Sequence, residues 1–418
     1  MTDVRIPSDD ETRRITTRAV AEIVPHEEFV AGMRSGRALR LKMGFDPTRP
    51  VITLGWAVGL RKLRQLQDLG HTVVVIIGDW TARIGDPSGQ SQTRPMLSEE
   101  EVKANSDTIL RQFKKVLDPD RTEIRRQSEW FDSFSLADVV RLAARFTVSQ
   151  MLQRDDFAQR FSEHRPIGLH EFVYPLLQAY DSVAVEADVE FGGTDQKFNN
   201  LVGRELQRIM GQKAGPAGQG QAVFLVPLLV GLDGKHKMSQ SLGNYIAIDD
   251  PPHDMYGKLM SIPDALILDY FELLTDVPDD ELSAIRESMA KRTANPMEHK
   301  MCLAREIVAQ FHSEAAAQEA EAGFVRTFRK REVQDVGIAE EDVSVAITVP
   351  LAEQEARVDQ LVMQHCGLSR SEIRRLLTQG AIDVDGVRLT DTRAVVRKGS
   401  TIRVGKHRFL RIVDADKR

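Results

Sequence analysis

Two short stretches of this 418-residue chain combine residue types that handle phosphate. GFDPT at residues 44 to 48 brings backbone close to a ligand at Gly44 and Pro47. It also offers the Thr48 hydroxyl near the start of a predicted helix, where free amides and the helix dipole attract anions. KHKMSQS at residues 235 to 241 places cationic and hydroxyl groups on a loop, and the compact ammonium of lysine can follow moving phosphate oxygens. Taken alone, the first stretch is also a common turn and helix cap, and the second is also a solvated basic loop.

Three polar residues of a third stretch, EFVYPLLQAYD at residues 171 to 181, fall on one side of a predicted helix. Tyr174, Gln178 and Asp181 follow each other at i, i+4 and i+7 among apolar neighbours. Because an unsatisfied buried polar group costs about 1–3 kcal/mol, a polar pocket wall is favoured over a satisfied network in the core. GTDQ at residues 193 to 196 adds a second polar edge at the carboxyl end of the predicted sheet, where open α/β folds bind ligands.

Apolar periodicity predicts the elements that position these stretches. The predicted strands are residues 39–45, 71–77, 182–190 and 223–229, and the predicted helices between them are residues 56–69 and 198–210. In the first helix, one face is shared by Trp56, Leu60, Leu63 and Leu66. A strand, a helix and a strand within about 40 residues form a βαβ unit, which predicts a parallel sheet of nucleotide-fold topology.

The other regions have different patterns. Residues 98–160 have helical patterning with little strand character, beginning at a predicted capping box, and residues 251 to about 331 are also predicted to be helical. Near the C-terminus, SRSE at residues 369–372 predicts a second capping box, and Asp385-Gly386 predicts the turn of a hairpin. These signals predict a compact module of helices and strands at the C-terminal end.

Composition excludes several classes of protein. A hydrophobic content of 42% over this length can bury a sizeable core in two or three domains. No run of about 18 apolar residues is present, and the charged N-terminus lacks the apolar segment of a secretory signal, so we expect a cytoplasmic protein without a membrane partner. Cys302 and Cys366 lack metal-ligand spacing, which predicts unpaired thiols and neither a redox nor a metal site.

The net charge of −6 is distributed unevenly. Residues 357 to 418 contain 14 Lys and Arg against 7 Asp and Glu, a balance of +7, which leaves −13 for the rest of the chain. A basic module on an acidic body predicts a polyanionic partner, with nucleic acid as the leading candidate. A solvated basic surface is the alternative interpretation of the same charge pattern.

In this combination and order, the stretches resemble the bacterial-type tyrosyl-tRNA synthetases, which are class I aminoacyl-tRNA synthetases, from about residue 16 to the C-terminus. The resemblance rests on GFDPT, on IGDPSG at 84–89, on EFVYPLLQAYD, on GGTDQ at 192–196, on KMSQS against the family's KMSKS, and on a C-terminal segment similar to an S4 RNA-binding domain. It implies that tyrosine and ATP form tyrosyl-adenylate and pyrophosphate, and that the tyrosyl group then passes to the terminal ribose of tRNA.

The resemblance also implies a domain plan of class α/β: a Rossmann-like parallel-sheet catalytic domain with a helical insertion, then an α-helical domain and a small α+β S4 domain. The implied boundaries are 1–245 for the catalytic domain, with about 95–190 as a connective insertion and dimer interface, 246–335 for the anticodon-binding domain, 336–355 for a linker and 356–418 for the S4-like domain. The implied partners are L-tyrosine, tRNA for tyrosine, ATP with Mg²⁺ as a substrate complex, and a second copy in a homodimer. No tightly bound cofactor is implied.

Positions that match the family's motifs imply roles for individual residues. For tyrosine, the implied contacts are Asp86, Tyr174 and Gln178 at the ammonium, Asp181 at the phenol hydroxyl, Gln196 near the carboxylate, and Lys42 where some members have a tyrosine beside the phenol. For ATP, they are Asp46, Thr48, Thr53, Gly55, Trp56, Gly192, Asp195, Lys237, Met238 and Gln240. The implied catalytic positions are Thr48, Lys237 and Ser239, and the implied RNA contacts are Arg370, Arg374 and Arg375.

The departures from the family pattern fall on the phosphate side. Both histidines of the HIGH motif are missing from Thr53-Leu-Gly-Trp56, and Gln240 replaces the second lysine of KMSKS. A charged hydrogen bond contributes about 1.5–3 kcal/mol, so three lost donors predict a loss of roughly 4–9 kcal/mol, or about 10³–10⁶ in rate. The Trp56 indole has three expected positions: packed in the core, filling the ATP cleft, or stacked on adenine.

Two functions follow from this sequence. The first is a tyrosine–tRNA ligase whose activation step is slowed. The second is a diverged or catalytically inactive paralogue that binds tyrosine or RNA, or that uses the pocket for chemistry outside translation. The clustering of the departures at the phosphates, with the amino-acid pocket otherwise matching, is what keeps the second function open.

Overall fold

The computed structural model describes residues 4–85, 97–291, 293–329, 346–351, 355–366, 368–389, 391, 394–397, 399–405 and 408–414. Contacts within the chain divide it into two compact units, Met1–Phe324 and Val325–Arg418. Among the described residues, no helix has both the length and the apolar character needed to cross a bilayer.

The helices up to residue 329 alternate at first with strands and then continue without them. They are α1 Asp9–Thr17, α2 His26–Met33, α3 Leu54–Gln67, α4 Thr81–Ile84, α5 Glu99–Phe113, α6 Ser128–Phe131, α7 Leu136–Ala143, α8 Val148–Met151, α9 Asp155–Ser162, α10 Leu169–Ala184, α11 Lys197–Ile209, α12 Pro252–Met260, α13 Ile267–Leu274, α14 Asp279–Lys291, α15 Pro296–Phe311 and α16 Glu314–Arg329. The strands are β1 Glu22–Val24, β2 Arg40–Phe45, β3 Thr72–Ile77, β4 Thr122–Arg126, β5 Val189–Gly193 and β6 Ala222–Val226. The predicted helical region after residue 251 is confirmed by α12 to α16.

The strands of the first unit form one six-stranded sheet in the order β1-β6-β5-β2-β3-β4. Four neighbouring pairs within it are parallel, and only β1 runs antiparallel, against β6. The register between β2 and β3 pairs Arg40 with Thr72 and Phe45 with Ile77. The predicted βαβ unit and parallel sheet are therefore confirmed, and the strand order reverses direction between β2 and β5.

Helix α3 lies against this sheet through the face that the periodicity predicted. Leu60, Leu63 and Leu66 are fully buried, and each buried leucine contributes about 1.5–3 kcal/mol relative to an exposed one. Trp56, at the first turn, is only partly buried, and its ring centroid lies 4.9 Å from that of Phe45. The first turn of α3 is thus held in place by the core while one residue of that turn stays accessible.

Two secondary-structure predictions are wrong. Residues Thr122–Arg126, predicted as part of a helical region, form β4 at the edge of the sheet. Three of its five residues, Glu123, Arg125 and Arg126, are charged, so it lacks the apolar run by which a buried strand is recognised. The strand predicted at 182–190 begins only at Val189, because α10 continues past Pro175 as far as Ala184 and the chain turns at Glu186, where φ is 51°.

The second unit is a smaller α+β module. Its elements are β7 Ala346–Leu351, β8 Glu355–Arg357, α17 Val358–Cys366, α18 Arg370–Thr378, β9 Ile382–Val384, β10 Val387–Arg388, β11 Val395–Arg397, β12 Thr401–Val404 and β13 Arg408–Asp414. Five strands form a sheet in the order β10-β9-β12-β13-β7, and β11 pairs with β8. Its core consists of apolar residues from both helices and the sheet.

Both local predictions for this unit are confirmed. Ser369 and Glu372 form the capping box at the start of α18. Asp385 and Gly386 both have positive φ, 51° and 83°, as the tight turn between β9 and β10 requires. Of the stretch predicted as a linker, residues 346–351 form β7, which pairs in parallel with β13, Glu355 begins β8, and the rest lies outside the described residues.

Candidate active site

A cavity of about 490 Å³ opens at the carboxyl ends of the parallel strands of the first unit. The ends of β2, β3, β5 and β6, the first turn of α3, one face of α10 and the loop at 237–241 contribute to its lining. It lies where the strand order reverses between β2 and β5, the position at which open parallel sheets bind ligands. The stretches identified from the sequence therefore meet around a single space.

Most of the predicted tyrosine and ATP contacts lie around this cavity. Those that line it are Asp46, Thr48, Thr53, Gly55, Trp56, Tyr174, Gln178, Asp181, Gly192, Asp195, Gln196, Lys237, Met238, Ser239 and Gln240. Lys42 is not part of the lining, because its side chain is fully buried behind it. Asp86 lies outside the described residues.

Lys42 supports from behind the part of the cavity wall that contains Gln178. Its Nζ donates to the Gln178 carbonyl and to the Ser182 hydroxyl, each at 2.8 Å. It also lies 3.0 Å from Glu190 Oε1 in an ion pair whose side chains are 0% and 1% exposed. Glu190 in turn accepts from Gln178 Nε2 at 3.1 Å, so a closed network fixes the backbone and the side chain of Gln178.

Asn199 links the two glutamines that line the cavity. Its Nδ2 donates to Gln178 Oε1 at 3.0 Å and to Gln196 Oε1 at 3.1 Å. Asn199 is itself buried on α11. The two glutamines, which the sequence places far apart, are therefore oriented by one side chain behind the pocket wall.

Asp181 is a buried carboxyl at the inner end of the cavity. It accepts hydrogen bonds from Gln127 Nε2 at 2.8 Å and from Trp130 Nε1 at 3.2 Å. Burial raises the pKa of Asp181 to about 7, although the nearby Lys42 ammonium and the two donors favour its charged form and Glu190 opposes it. A carboxyl that titrates near neutral pH thus faces the predicted phenol position.

A chain of hydrogen bonds joins this carboxyl to the GFDPT stretch. Tyr174 donates its hydroxyl to Asp46 Oδ2 at 2.8 Å, and Thr81 Oγ1 lies 2.6 Å from Asp46 Oδ1. Gln127 accepts from the Thr81 amide at 2.9 Å while donating to Asp181. A Cβ on Gly78 would collide with both the Asp46 carboxylate and the Thr81 hydroxyl, so this position requires glycine.

The KMSQS loop is tied down at three points. Lys237 Nζ lies 2.5 Å from Asp195 Oδ2, and the Ser239 amide donates to Asn244 Oδ1 at 2.9 Å. Gln240 is 8% exposed, and its Nε2 donates to the Val51 carbonyl just before α3. The residue that replaces the second lysine of the family motif is therefore used to hold the loop against the TLGW segment.

Thr53 occupies the N-cap position of α3 without capping it. The side chain is 1% exposed, lines the cavity, and has an Oγ1 without a hydrogen-bond partner. The backbone of the next residue, Leu54, donates to the Ile246 carbonyl at 2.9 Å. A buried hydroxyl left unpaired beside a cavity is costly unless a ligand satisfies it.

Several residues in and behind the pocket wall carry no motif that would predict them from the sequence. Gln127 and Trp130 follow β4, and the missed strand is the reason that they were overlooked, since side chains just after a parallel strand lie at the ligand edge. Thr81 follows β3 and carried no recognised motif. Glu190 and Asn199 lie behind the wall, where only the tertiary structure brings them to Gln178.

Comparisons with known proteins agree with this fold and site. Residues 34–329, which span the cavity lining, match the family described as tRNA synthetases class I (W and Y). The chain is therefore a member of the class I tRNA synthetases. Two relatives, both named tyrosine–tRNA ligase, place it more narrowly: one from Dehalococcoides mccartyi is 51% identical over 97% of this chain and 99% of its own length, and one from Thermotoga maritima is 49% identical over 96% and 97%. The chain belongs to the tyrosyl-tRNA synthetase family.

Solved structures show the same fold at lower sequence identity. A C-terminally truncated mitochondrial tyrosyl-tRNA synthetase from Aspergillus nidulans has a TM-score of 0.62 at 21% identity, covering 76% of this chain and 98% of its own. A tyrosyl-tRNA synthetase from Archaeoglobus fulgidus, complexed with L-tyrosine, has a TM-score of 0.59 at 24% identity, covering 75% and 99%. These two likenesses support the α/β fold of the first unit.

Proposed function

We propose that this chain is a tyrosine–tRNA ligase, which forms tyrosyl-adenylate from tyrosine and ATP and then transfers the tyrosyl group to tRNA. The observation that carries the proposal is the single cavity, in which Gln178 and Asp181 face the same space as Thr48 and Lys237. The tyrosine carboxylate must attack the α-phosphate as pyrophosphate leaves, and one shared cavity supplies the required proximity. Relatives of nearly full length that are named for this activity support the same function.

The amino-acid side of the cavity is suited to a phenol at one end and an ammonium near the other. Asp181 accepts the phenol hydroxyl, while Tyr174, Gln178 and Gln196 surround the amino and carboxylate groups. The order of these groups along α10 and in the turn before α11 gives tyrosine one orientation. Lys42 acts on the substrate only through Gln178, because its ammonium is used by the buried network. Asp86 stays a predicted contact.

The ATP side uses the loop after β2, the first turn of α3 and the KMSQS loop. Thr48 and Thr53 offer hydroxyls to the phosphates, and Lys237 and Ser239 bind the departing pyrophosphate. Gly55 and Gly192 leave room for the nucleotide, and Asp195 accepts the ribose hydroxyls. The remaining predicted ATP contacts in the lining are Asp46, Trp56, Met238 and Gln240.

Magnesium belongs to the substrate in this proposal. Within the described parts of the chain, no group of three or more His, Cys, Asp or Glu side chains is arranged to hold a metal ion. Mg²⁺ enters as the ATP complex in this proposal, and the chain's own residues contribute positioning and charge stabilisation. No general acid or base is needed for attack by a carboxylate that is already ionised.

We further propose that activation is slow in this chain. The phosphate end has neutral groups at Thr53, Trp56 and Gln240, and the Gln240 amide is already bound to the Val51 carbonyl. Lys237 is paired with Asp195 and must leave it to reach a phosphate. Missing charged donors of this kind cost about 1.5–3 kcal/mol each in the transition state.

A homodimer is also part of the proposal. Exposed apolar side chains are concentrated between residues 136 and 169, where Leu136 is 80% exposed and Leu169 is 84% exposed. Leu136 and Val140 share a face of α7, and Phe161 on α9 is 63% exposed. Such a concentration of apolar surface is typical of a protein interface. Sedimentation should therefore report a dimer that Leu136→Asp with Val140→Asp converts to a monomer.

The second unit is proposed to bind tRNA. Arg370, Arg374 and Arg375 are all exposed on α18, in the part of the chain that carries the positive charge. Replacing Arg374 and Arg375 with alanine should weaken tRNA binding and reduce its salt dependence, since each lost phosphate contact lowers the number of released counterions. Unchanged affinity and salt dependence would remove this part of the proposal.

The ligase activity is tested by tyrosine-dependent ATP–pyrophosphate exchange on the unmodified chain. We expect exchange above the background without amino acid, and much weaker exchange with phenylalanine as the matched substrate. Calorimetry should be run in parallel to measure tyrosine binding alone. Clear tyrosine binding with no exchange would contradict the ligase proposal.

That outcome would favour the second function, a paralogue that binds tyrosine or RNA without activating tyrosine, or that uses the pocket for other chemistry. The observation in its favour is the neutral phosphate end formed by Thr53, Trp56 and Gln240. A non-activating paralogue would still bind tyrosine with the amino-acid side described above. The same two measurements therefore distinguish the two functions.

A further inference from the structure

The charges around the cavity are unevenly paired. In the described part of the lining, the charged side chains are Asp46, Arg49, Asp181, Asp195 and Lys237. Lys237 lies 2.5 Å from Asp195, so the charge of the one is largely cancelled by the other. Arg49 is exposed, and among the described residues it forms no ion pair with a carboxylate. It is thus the cation in this lining that remains available to an anionic ligand.

We propose that Arg49 is a phosphate-binding residue, which contacts the β- and γ-phosphates of ATP and retains pyrophosphate after tyrosyl-adenylate forms. This deepens the proposed function and rests on it, because it assumes that a triphosphate enters the cavity. A guanidinium suits the role, since its planar donors bind two phosphate oxygens at once. Arg49 thereby supplies positive charge where Thr53, Trp56 and Gln240 supply none.

The position of Arg49 fits this role. It directly follows Thr48 in the loop that leaves β2, where the Thr48 amide donates to the Asp46 carbonyl at 2.8 Å in a tight turn, and both residues line the cavity. The first turn of α3 begins five residues further on, at Leu54, and directs its dipole toward the same space. The unpartnered hydroxyl of Thr53, 99% buried in the cavity wall, is an independent sign that a polar ligand belongs there.

A second cation near the phosphates would offset the negative charge that ATP adds to the cavity. ATP brings several negative charges into a lining that already contains Asp46 and Asp195. Among the described residues of the lining, Lys237 is the other cation, and it is held by Asp195. Arg49 is exposed and can turn toward the triphosphate without first breaking an ion pair. The free energy of binding is therefore reduced less by desolvation and by rearrangement of the side chain. A solvated surface arginine is the alternative, and it predicts no effect on any ligand.

Calorimetric binding of pyrophosphate, MgATP, adenosine and tyrosine tests the proposal without requiring catalysis. Arg49→Ala should weaken pyrophosphate and MgATP binding about tenfold or more, as expected for loss of a charge-assisted hydrogen bond, and leave adenosine and tyrosine binding unchanged. Arg49→Lys should retain part of the affinity. Lys213→Ala, which removes an exposed cation outside the cavity lining, is the matched control and should have no effect.

Each outcome separates this proposal from the ligase function. If pyrophosphate binding falls in Arg49→Ala while the unmodified chain shows no tyrosine-dependent exchange, the phosphate site stands and the ligase function fails. If exchange runs and Arg49→Ala binds pyrophosphate and MgATP as the unmodified chain does, the ligase function stands and the role of Arg49 is overturned. The role is also overturned if the unmodified chain binds no pyrophosphate, or if Lys213→Ala weakens binding equally.

Discussion

The two ends of the cavity differ in how their polar groups are satisfied. At the amino-acid end, Lys42, Glu190 and Gln178 bond to one another, and Asp181 is held by two donors. At the phosphate end, the Thr53 hydroxyl has no partner, and the amide of Gln240 is already bound to the Val51 carbonyl. The first end is preorganised for one ligand, while the second depends on its ligand to complete it.

This difference predicts which step is affected by the departures from the family motifs at Thr53, Trp56 and Gln240. A preorganised amino-acid pocket binds substrate with little rearrangement, so the binding of tyrosine is expected to be near that of a competent enzyme. The transition state carries extra charge on the phosphates and is stabilised by charged donors that are already in place. At Thr53, Trp56 and Gln240 this chain has neutral side chains where the family motifs have such donors. The chain should therefore bind tyrosine well and activate it slowly.

The largest expected effect is on the stability of the amino-acid end. Lys42→Met leaves Glu190 buried without its cation, which should lower the free energy of unfolding by about 3–5 kcal/mol. Arg64→Met, which breaks the exposed pair with Asp68, is the control and should change it by less than about 1 kcal/mol. Urea denaturation measures both.

A double replacement sharpens this test. Lys42→Met combined with Glu190→Gln removes both charges and should recover a large part of the lost stability, because no uncompensated charge then remains buried. Equal losses for Lys42→Met and Arg64→Met would contradict the claim that a buried ion pair fixes this end of the cavity.

The next effect concerns Asp181 and its pH dependence. With a pKa raised to about 7, the carboxyl is neutral below that pH and ionised above it. The ionised form accepts the phenol hydroxyl more strongly, so tyrosine affinity should rise about tenfold between about pH 6 and pH 8. Among the described residues of the lining there is no histidine.

Asp181→Asn checks the assignment. At about pH 8 it should weaken tyrosine binding about 10- to 100-fold, since it replaces a charged acceptor with a neutral one, and it should flatten the pH profile. Phenylalanine, which lacks the hydroxyl, should show no gain in affinity between about pH 6 and pH 8, because it offers no donor to the ionised carboxylate. A pH profile that persists in Asp181→Asn would assign the titration to another group.

The smallest expected effect is on MgATP binding when the unpaired hydroxyl of Thr53 is removed. Thr53→Val keeps the shape but removes Oγ1, so the chain without ligand should be as stable as before or slightly more stable. MgATP binding should nevertheless weaken by about 0.5–1.5 kcal/mol, up to roughly tenfold. A loss of stability together with unchanged MgATP affinity would mean that the hydroxyl serves the fold and not the ligand.

The sequence predicted the elements whose signal is local. The βαβ unit followed from apolar runs, and the polar face of α10 followed from helical spacing. Edge strand β4 was missed because its charged residues carry no such signal, and Gln127 was missed with it. The bond between Lys42 and Glu190 joins residues 148 apart, and that between Gln240 and Val51 joins residues 189 apart. No local pattern encodes contacts of that separation.

The central claim is that the amino-acid end is complete and that the phosphate end limits activation. The most direct measurement is the rate of tyrosine-dependent ATP–pyrophosphate exchange for the unmodified chain and for Thr53→His with Trp56→His, together with the KM for tyrosine. Restoring two charged donors at about 1.5–3 kcal/mol each should raise the exchange rate about 10²- to 10⁴-fold with the KM for tyrosine unchanged. An exchange rate that stays the same or falls, or a gain that comes through the KM for tyrosine, would contradict the account.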